Sequence, residues 1–349
     1  MDCRSLFDVH ASRFKSLAAN YPRLSIAVAG DFCLDRYFDL DPARTEISIE
    51  TGLPVYNIVN VRTQPGAAGT ILNNLVALGI GRIFVIGFAG EDGEGWSLVR
   101  ALQAKPGVRM DYFLQTAERH TFTYTKPLMF EPGKPPRELN RLDMKNWSPT
   151  SPALSNQLGQ ACEKLAGQVD AFILMDQVDL PNTGVLTTEV LDSIRHIARA
   201  KPDLLIVADS RRGLHDFPPV TFKMNAAEMA RLTGKSPAVS LAEIQRQALE
   251  LAEQNGQRVF ITLAERGILG ALPDRQVEHV PALTVRGEID IVGAGDAVTA
   301  NLTASLAAGA TLRESMEIAN AAASIVIHQL GTTGTATVEQ IGNLLTVGS

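Results

Sequence analysis

The chain has 349 residues, 45% of them hydrophobic and 20% charged, with a formal net charge of −6. That composition provides for a large globular core, and the acidic balance without a basic run excludes a general nucleic-acid binder, which needs clustered Lys and Arg. Three scattered cysteines, Cys3, Cys33 and Cys162, and six histidines without zinc spacing fit a reducing, cytoplasmic setting rather than a disulfide or zinc framework.

Asp2, Arg4, Asp8 and Arg13 interrupt the first residues, so no signal peptide is expected, and no apolar run is long enough to cross a membrane. Leu6, Val9, Phe14 and Leu17 predict a leading helix within 5–20. Leu24–Ala29 is nearly all apolar, the pattern of a strand covered on both faces, and it ends at Gly30-Asp31. Similar runs follow at Ile83–Ile86, Ala171–Met175, Leu204–Ala208 and Val259–Leu263, with helical patterns between several of them. This alternation predicts an α/β fold: a mostly parallel sheet, helices on both faces, and ligands beyond the carboxyl ends of the strands, where Asp31, Asp176 and Asp209 stand.

Two regions break the rhythm. Residues 44–62 and 112–143, the latter with Thr121–Lys126 and Glu138–Leu142, read as exposed antiparallel strands that either pack together as a small sheet placed to cover a cleft and exclude water or stand as two separate hairpins. The tail returns to helices: Ala297–Ala308 stops at Gly309, and Leu312–Leu330 stops at Gly331.

The most informative stretch is 288–301, where an apolar segment enters the turn Gly293-Ala294-Gly295 and opens a helix carrying Asp296 in its first turn. Free amides at a helix start, with the helix dipole, suit a phosphate. A carboxylate there repels a phosphate, unless it serves to take a proton from the hydroxyl that attacks it; the other reading is an ordinary first-turn Asp stabilised by the dipole. Two further explanations fail on spacing. A dinucleotide fingerprint needs Gly or Ala where Val298 stands, and a Walker loop ending at Gly234-Lys235-Ser236 needs Gly where Met229 stands.

Asn225-Ala226-Ala227-Glu228 sets an amide and a carboxylate three residues apart on one helical turn. The pair suits holding the water of a magnesium ion beside a nucleotide, and it is equally the pattern of a capping box. Thr262–Gly267 ends a buried strand in a turn that either lines a nucleotide pocket or connects two strands. Pro65-Gly66-Ala67-Ala68-Gly69-Thr70 starts a helix with small residues that allow close approach of a ligand, with Asn73 and Asn74 offering amides. Gly90–Gly95 reads as a structural turn.

In this order and at these separations, the Gly293–Asp296 signature, Asn225…Glu228, Gly90-x-Asp92-x-x-Gly95 and the helix start at Gly66 resemble the ribokinase or PfkB family of carbohydrate kinases over residues 22–345. Within it, Gly30–Tyr37, Gly52–Val55, Asn140–Asp143 and Ala321–Thr333 are similar to the kinase domain acting on heptose 7-phosphate in ADP-heptose synthesis. The resemblance implies a ribokinase-like three-layer sandwich, a single domain over 1–349 with lid segments about 37–64 and 111–143, and ATP-dependent, magnesium-requiring phosphorylation of a sugar or sugar phosphate. It implies Asp296 as catalytic base and Gly293, Ala294 and Gly295 as the anion hole; Asp35, Asp31, Gly66, Asn73 and Arg141 at the acceptor; and Asn225, Glu228, Thr262, Leu263 and Gly267 at the nucleotide. Glu228 would act on Mg²⁺ through water, Asp290 and Val292 would border a monovalent cation such as K⁺, and the lid would join a homodimer.

Departures from the family pattern are specific. The family's Gly-Gly pair reads Gly66-Ala67, and its sugar-contacting Asn reads Gly69, with Asn73 one turn later as a substitute. Its Asp-Pro-Lys-Gly segment reads Asp209-Ser210-Arg211-Arg212-Gly213, and no segment is expected to supply the nucleotidyltransferase domain that often accompanies the heptose kinase. The alternatives are a kinase for another small polyol or nucleoside, and a catalytically silent member that binds sugar or nucleotide.

Overall fold

A computed structural model describes residues 9–236 and 240–347. The leading helix is Ala11–Ala18, and residues 5–8 of the expected helix lie outside the described residues. Among the described residues nine strands form the large sheet, in the spatial order Val277–Val280, Ile268–Ala271, Val259–Thr262, Thr221–Asn225, Leu205–Ser210, Ala171–Asp176, Ser25–Gly30, Arg82–Gly90 and Val108–Thr116. From Val259–Thr262 to Val108–Thr116 all neighbours pair in parallel, and the two strands at the opposite edge are antiparallel.

The all-apolar runs are explained by cores on both faces. Side chains alternate along a strand, so Ala27, Ala29, Phe172 and Leu174 enter one core while Ile26, Val28, Ile173 and Met175 enter the other. Helices Pro152–Leu165, Thr188–Ala200, Ala226–Thr233 and Leu241–Asn255 cover the first, and Ala68–Ala77, Gly93–Gln103, Ala294–Ala307 and Leu312–Val326 cover the second. The result is the expected three-layer α/β sandwich. Each fully buried large side chain, Phe172 among them, stabilises it by roughly 2–3 kcal/mol.

The lid grows directly out of this sheet. Phe32–Leu40 follows Ser25–Gly30 after a single residue, pairs antiparallel with Ile58–Ala67 and parallel with Thr123–Met129. Leu142–Met144 and Arg137–Glu138 add antiparallel pairs to Thr123–Met129. Two expectations are corrected. Residues 111–116 belong to the large sheet's edge strand, because Tyr112, Phe113 and Leu114 pack on its two cores. The pair between Phe32–Leu40 and Thr123–Met129 is parallel, because the chain returns through the large sheet instead of a hairpin.

Candidate active site

Helix Ala294–Ala307 opens at Gly293, whose φ of 84° is the left-handed conformation that glycine adopts without strain. A side chain there would lie 2.5 Å from the Thr333 methyl. The Ala294 N–H donates to the Ile291 carbonyl at 3.2 Å, so it is withdrawn from the expected anion hole. Gly293 supplies no side-chain cap, and the amides of Gly295 and Asp296 are left as first-turn donors without an intrahelical acceptor.

Directly beneath that turn is Lys223. Its ammonium donates to Asp209 at 2.7 Å and would sit 3.1 Å from a side chain on Gly295. The Thr299 hydroxyl, one turn into the helix, donates to the same Asp209 oxygen at 2.9 Å. Burial alone would lower the Lys223 ammonium, but the carboxylates of Asp209, Asp296 and Glu228 outweigh it and hold it above the usual lysine range. Asp296 is pushed up to about 7 by burial and by the negative charges of Asp209 and Asp35, with Lys223 opposing them. A carboxylate of that basicity exchanges protons near neutral pH.

On one side of the turn lies a cavity of about 690 Å³, bordered by Asn225, Thr262, Leu263, Gly267 and Gly295. Four of the five residues expected at the nucleotide therefore share one wall. Their elements are fixed locally: Leu263 N–H donates to the Gly267 carbonyl at 2.8 Å, and Gly267 has φ 93°. Glu228 does not border the cavity. It closes a full capping box, donating its own N–H to the Asn225 side chain at 2.9 Å while its carboxylate accepts the Asn225 N–H at 2.7 Å. Burial raises its carboxyl above the usual range. Asp290 likewise spends one oxygen on the Val292 amide, at 3.0 Å.

On the other side, one face of the lid carries chemistry by strict alternation. Cys33, Asp35 and Tyr37 stand opposite Gly66, Gln64 and Arg62 on one neighbouring strand, and Asp35 and Tyr37 stand opposite Tyr124 and Lys126 on the other. Asp35 is buried, and a side chain on Gly66 would meet its carboxylate at 2.7 Å. Its carboxyl is raised by burial, with Lys126 and Arg141 pulling the other way. Arg141 makes a two-pronged ion pair with Asp143, both contacts 2.7 Å, and its guanidinium lies 5.0 Å from the Tyr124 ring centre.

Three expected acceptor features are relocated. Asp31 is buried and each of its oxygens accepts a backbone amide, from Gln177 and Val185 at 2.8 Å each, so it pins the 177–185 loop to the sheet. Asn73 donates to the Pro65 carbonyl at 3.1 Å and thereby braces the Gly66 turn. Position 69 cannot carry the family's Asn, because a side chain there would stand 2.5 Å from Pro65 Cβ. Lys223, Asp209, Lys126 and Thr333 were not singled out as site residues from the sequence. Lys223 reads from the sequence as an interruption in an apolar strand, and only its burial against Asp209 distinguishes it.

With this geometry in hand, the sequence profile described as "pfkB family carbohydrate kinase" matches residues 33–339. The bifunctional protein HldE of Azorhizobium caulinodans is 33% identical over 308 residues, covering 88% of this chain and 61% of that protein. The same protein of Gluconacetobacter diazotrophicus is 30% identical over 317 residues, covering 90% and 62%. The chain thus spans about three fifths of the length of these relatives. Among solved structures, ribokinase of Arabidopsis thaliana complexed with ribose and ATP superposes with a TM-score of 0.66 at 18% identity, covering 92% of this chain and 98% of that one. Phosphofructokinase-2 of Escherichia coli in complex with potassium gives 0.70 at 17% identity, covering 93% and 99%. At those identities the likeness concerns the fold.

Proposed function

The chain belongs to the pfkB family of carbohydrate kinases, and from that premise we propose that it transfers the terminal phosphoryl of ATP to a hydroxyl of a sugar phosphate, heptose 7-phosphate being the first candidate. The observation that carries the reading is Asp296: a carboxylate pushed up to about 7, in the first turn of a helix with free amides, between a nucleotide-sized cavity and the Asp35 face of the lid. In this reading Asp296 takes the proton of the attacking hydroxyl, the Gly295 and Asp296 amides meet the charge that develops on the phosphoryl oxygens, and the Lys223 ammonium adds positive charge below them. Asp35 orients the acceptor by accepting its hydroxyls. Lys126 and Arg141, the cations that act on Asp35, favour an acceptor that brings its own phosphate.

Magnesium fits this site only with the nucleotide present. Among the described residues no group of three His, Cys, Asp or Glu could hold a metal, and Glu228 keeps one carboxylate oxygen beyond its cap, enough to bind a metal-held water. When bound, magnesium neutralises phosphate charge. Asp290 and the Val292 backbone are proposed as the border of a monovalent-cation site. Exposed Ile47, Ile49, Leu53, Ile58, Val59 and Val61 on the lid segments support a homodimer joined there. No helix among the described residues is long and apolar enough to cross a membrane.

The test is ATP consumption by the purified chain across sugars and sugar phosphates, including heptose 7-phosphate, with Asp296→Asn as control. Turnover with a sugar phosphate that vanishes in the variant is expected. A chain that binds nucleotide but turns over no acceptor overturns the assignment.

A further inference from the structure

The loop after helix Leu312–Val326 reaches both the lid face and the Gly293 turn through one side chain, that of Thr333. Thr333, buried at 7% exposure, stands by the Asp35 carboxylate, where its hydroxyl favours the charged form. Its hydroxyl is 3.5 Å from the Tyr37 hydroxyl, and its methyl occupies the space that a side chain on Gly293 would need. Tyr37 accepts from the Gln64 amide at 3.4 Å, and Gln64 accepts from the Thr332 hydroxyl at 3.4 Å. The Tyr37 ring is flanked by the Arg62 guanidinium at 4.9 Å and the Lys126 ammonium at 5.0 Å. The loop itself is clamped by Gln329, which accepts the Thr335 N–H at 3.1 Å and donates to the Thr335 carbonyl at 2.7 Å.

The Thr332 hydroxyl donates to Gln64 and the Gln64 amide to Tyr37, whose hydroxyl meets that of Thr333 beside Asp35. A row in which members both donate and accept polarises along its length, here toward the carboxylate. Its links, at 3.4–3.5 Å, are long for O–H and N–H donors and leave room to shorten when an acceptor binds. We propose that Thr333 is a positioning residue for the acceptor: it fixes the Asp35 carboxylate for sugar hydroxyls and ties that orientation, through Tyr37 and Gln64, to the seating of the lid and, through its methyl, to the Gly293 turn. This rests on the reading of Asp35 as the acceptor-binding acid. Two elements that are remote in sequence, the first lid strand and the loop at 331–335, then respond together to the acceptor and not to the nucleotide.

The groups facing Asp35 are Lys126 and Arg141, which favour its charge, and Asp143, Cys33 and Asp296 beside it. The Thr333 hydroxyl favours the charged form of Asp35, so removing it makes the carboxylate easier to protonate. Thr333→Val keeps the shape and the methyl against Gly293; Thr333→Ser keeps the hydroxyl. With heptose 7-phosphate, or with whichever panel acceptor is turned over, Thr333→Val is expected to raise the acceptor KM about tenfold and to leave the KM for ATP unchanged. It is also expected to move the acid limb of kcat/KM for the acceptor to higher pH. Thr333→Ser restores both, and Tyr37→Phe moves both in the same direction by less. Melting curves of the variants separate folding from positioning, since a packing role lets Ser fail and Val succeed. An acceptor KM and acid limb within twofold of the parent in Thr333→Val, while Asp35→Asn raises the acceptor KM, overturns the inference alone. An Asp35→Asn variant with unchanged acceptor KM removes the acceptor reading, and the inference with it.

Discussion

The Lys223 ammonium and the Asp209 carboxylate are 2.7 Å apart in a buried pair at the ends of neighbouring parallel strands, directly below the turn that presents Asp296. Asp209 raises Asp296 and Lys223 lowers it, so deleting either partner should move the acid limb of activity in opposite directions. Asp209→Asn removes a negative neighbour and leaves Lys223 to act on Asp296; the limb shifts to lower pH. Lys223→Met leaves two carboxylates facing each other; the limb shifts to higher pH and turnover falls. Breaking a buried pair costs about 3–5 kcal/mol, so pH–rate profiles belong beside melting curves. Shifts of the same sign in both variants would show that Asp296 is not the titrating group.

Asp296→Asn should lower turnover by roughly 10²–10⁴ with little change in nucleotide affinity. The same change should stabilise the protein at pH 8. The folded pKa of Asp296 is raised from 3.8 to about 7, so the folded state holds the proton more tightly than the unfolded chain, and the parent loses stability as pH rises through that window. The gain in Tm of the variant should be full above pH 7 and shrink as pH falls toward 4. A variant less stable than the parent at pH 8 would count against a carboxylate kept charged at a cost.

Glu228 closes a capping box on Asn225, which borders the cavity, and two substitutions separate that role from the proposed action on magnesium. Glu228→Gln keeps an oxygen for the Asn225 amide and should hold Tm nearly constant while raising the magnesium needed for half-maximal rate. Glu228→Ala should add a stability loss of about 1 kcal/mol. If magnesium titrations of parent and Gln variant superpose, Glu228 is a cap and nothing more.

Ala67 caps helix Ala68–Ala77 at φ 53° and ψ −116°, a conformation that a residue with a Cβ holds only under strain. Ala67→Gly should relieve it and stabilise the protein by about 1 kcal/mol, net of the greater freedom glycine has when unfolded. Thermal melts decide this, and an unchanged or lower Tm would mean that neighbours enforce the turn at no cost to alanine.

What the sequence by itself determined follows from local rules. Nearly all-apolar runs at Leu24–Ala29 and Ala171–Met175 have the pattern of strands buried on both faces, and the small-residue turn at Gly293 marks the start of a helix. Helix ends were readable for the same reason: the Asn225–Glu228 capping box depends on residues three apart, and the structure forms it. The lid was legible as a break in rhythm but not in its pairing, since Phe32–Leu40 and Thr123–Met129 join in parallel only because the chain first passes through the far edge of the large sheet. Asp31 and Asp35 are both acids expected at the acceptor, and only tertiary contacts from 177 and 185 show that Asp31 pins a loop to the sheet. Lys223 with Asp209, and Thr333 with Asp35 and Tyr37, are pairings over 14 to nearly 300 residues of chain. No periodicity encodes such contacts, because burial and electrostatics act through space, and it was the packing of the strand ends against one helix turn that decided which side chains became the site.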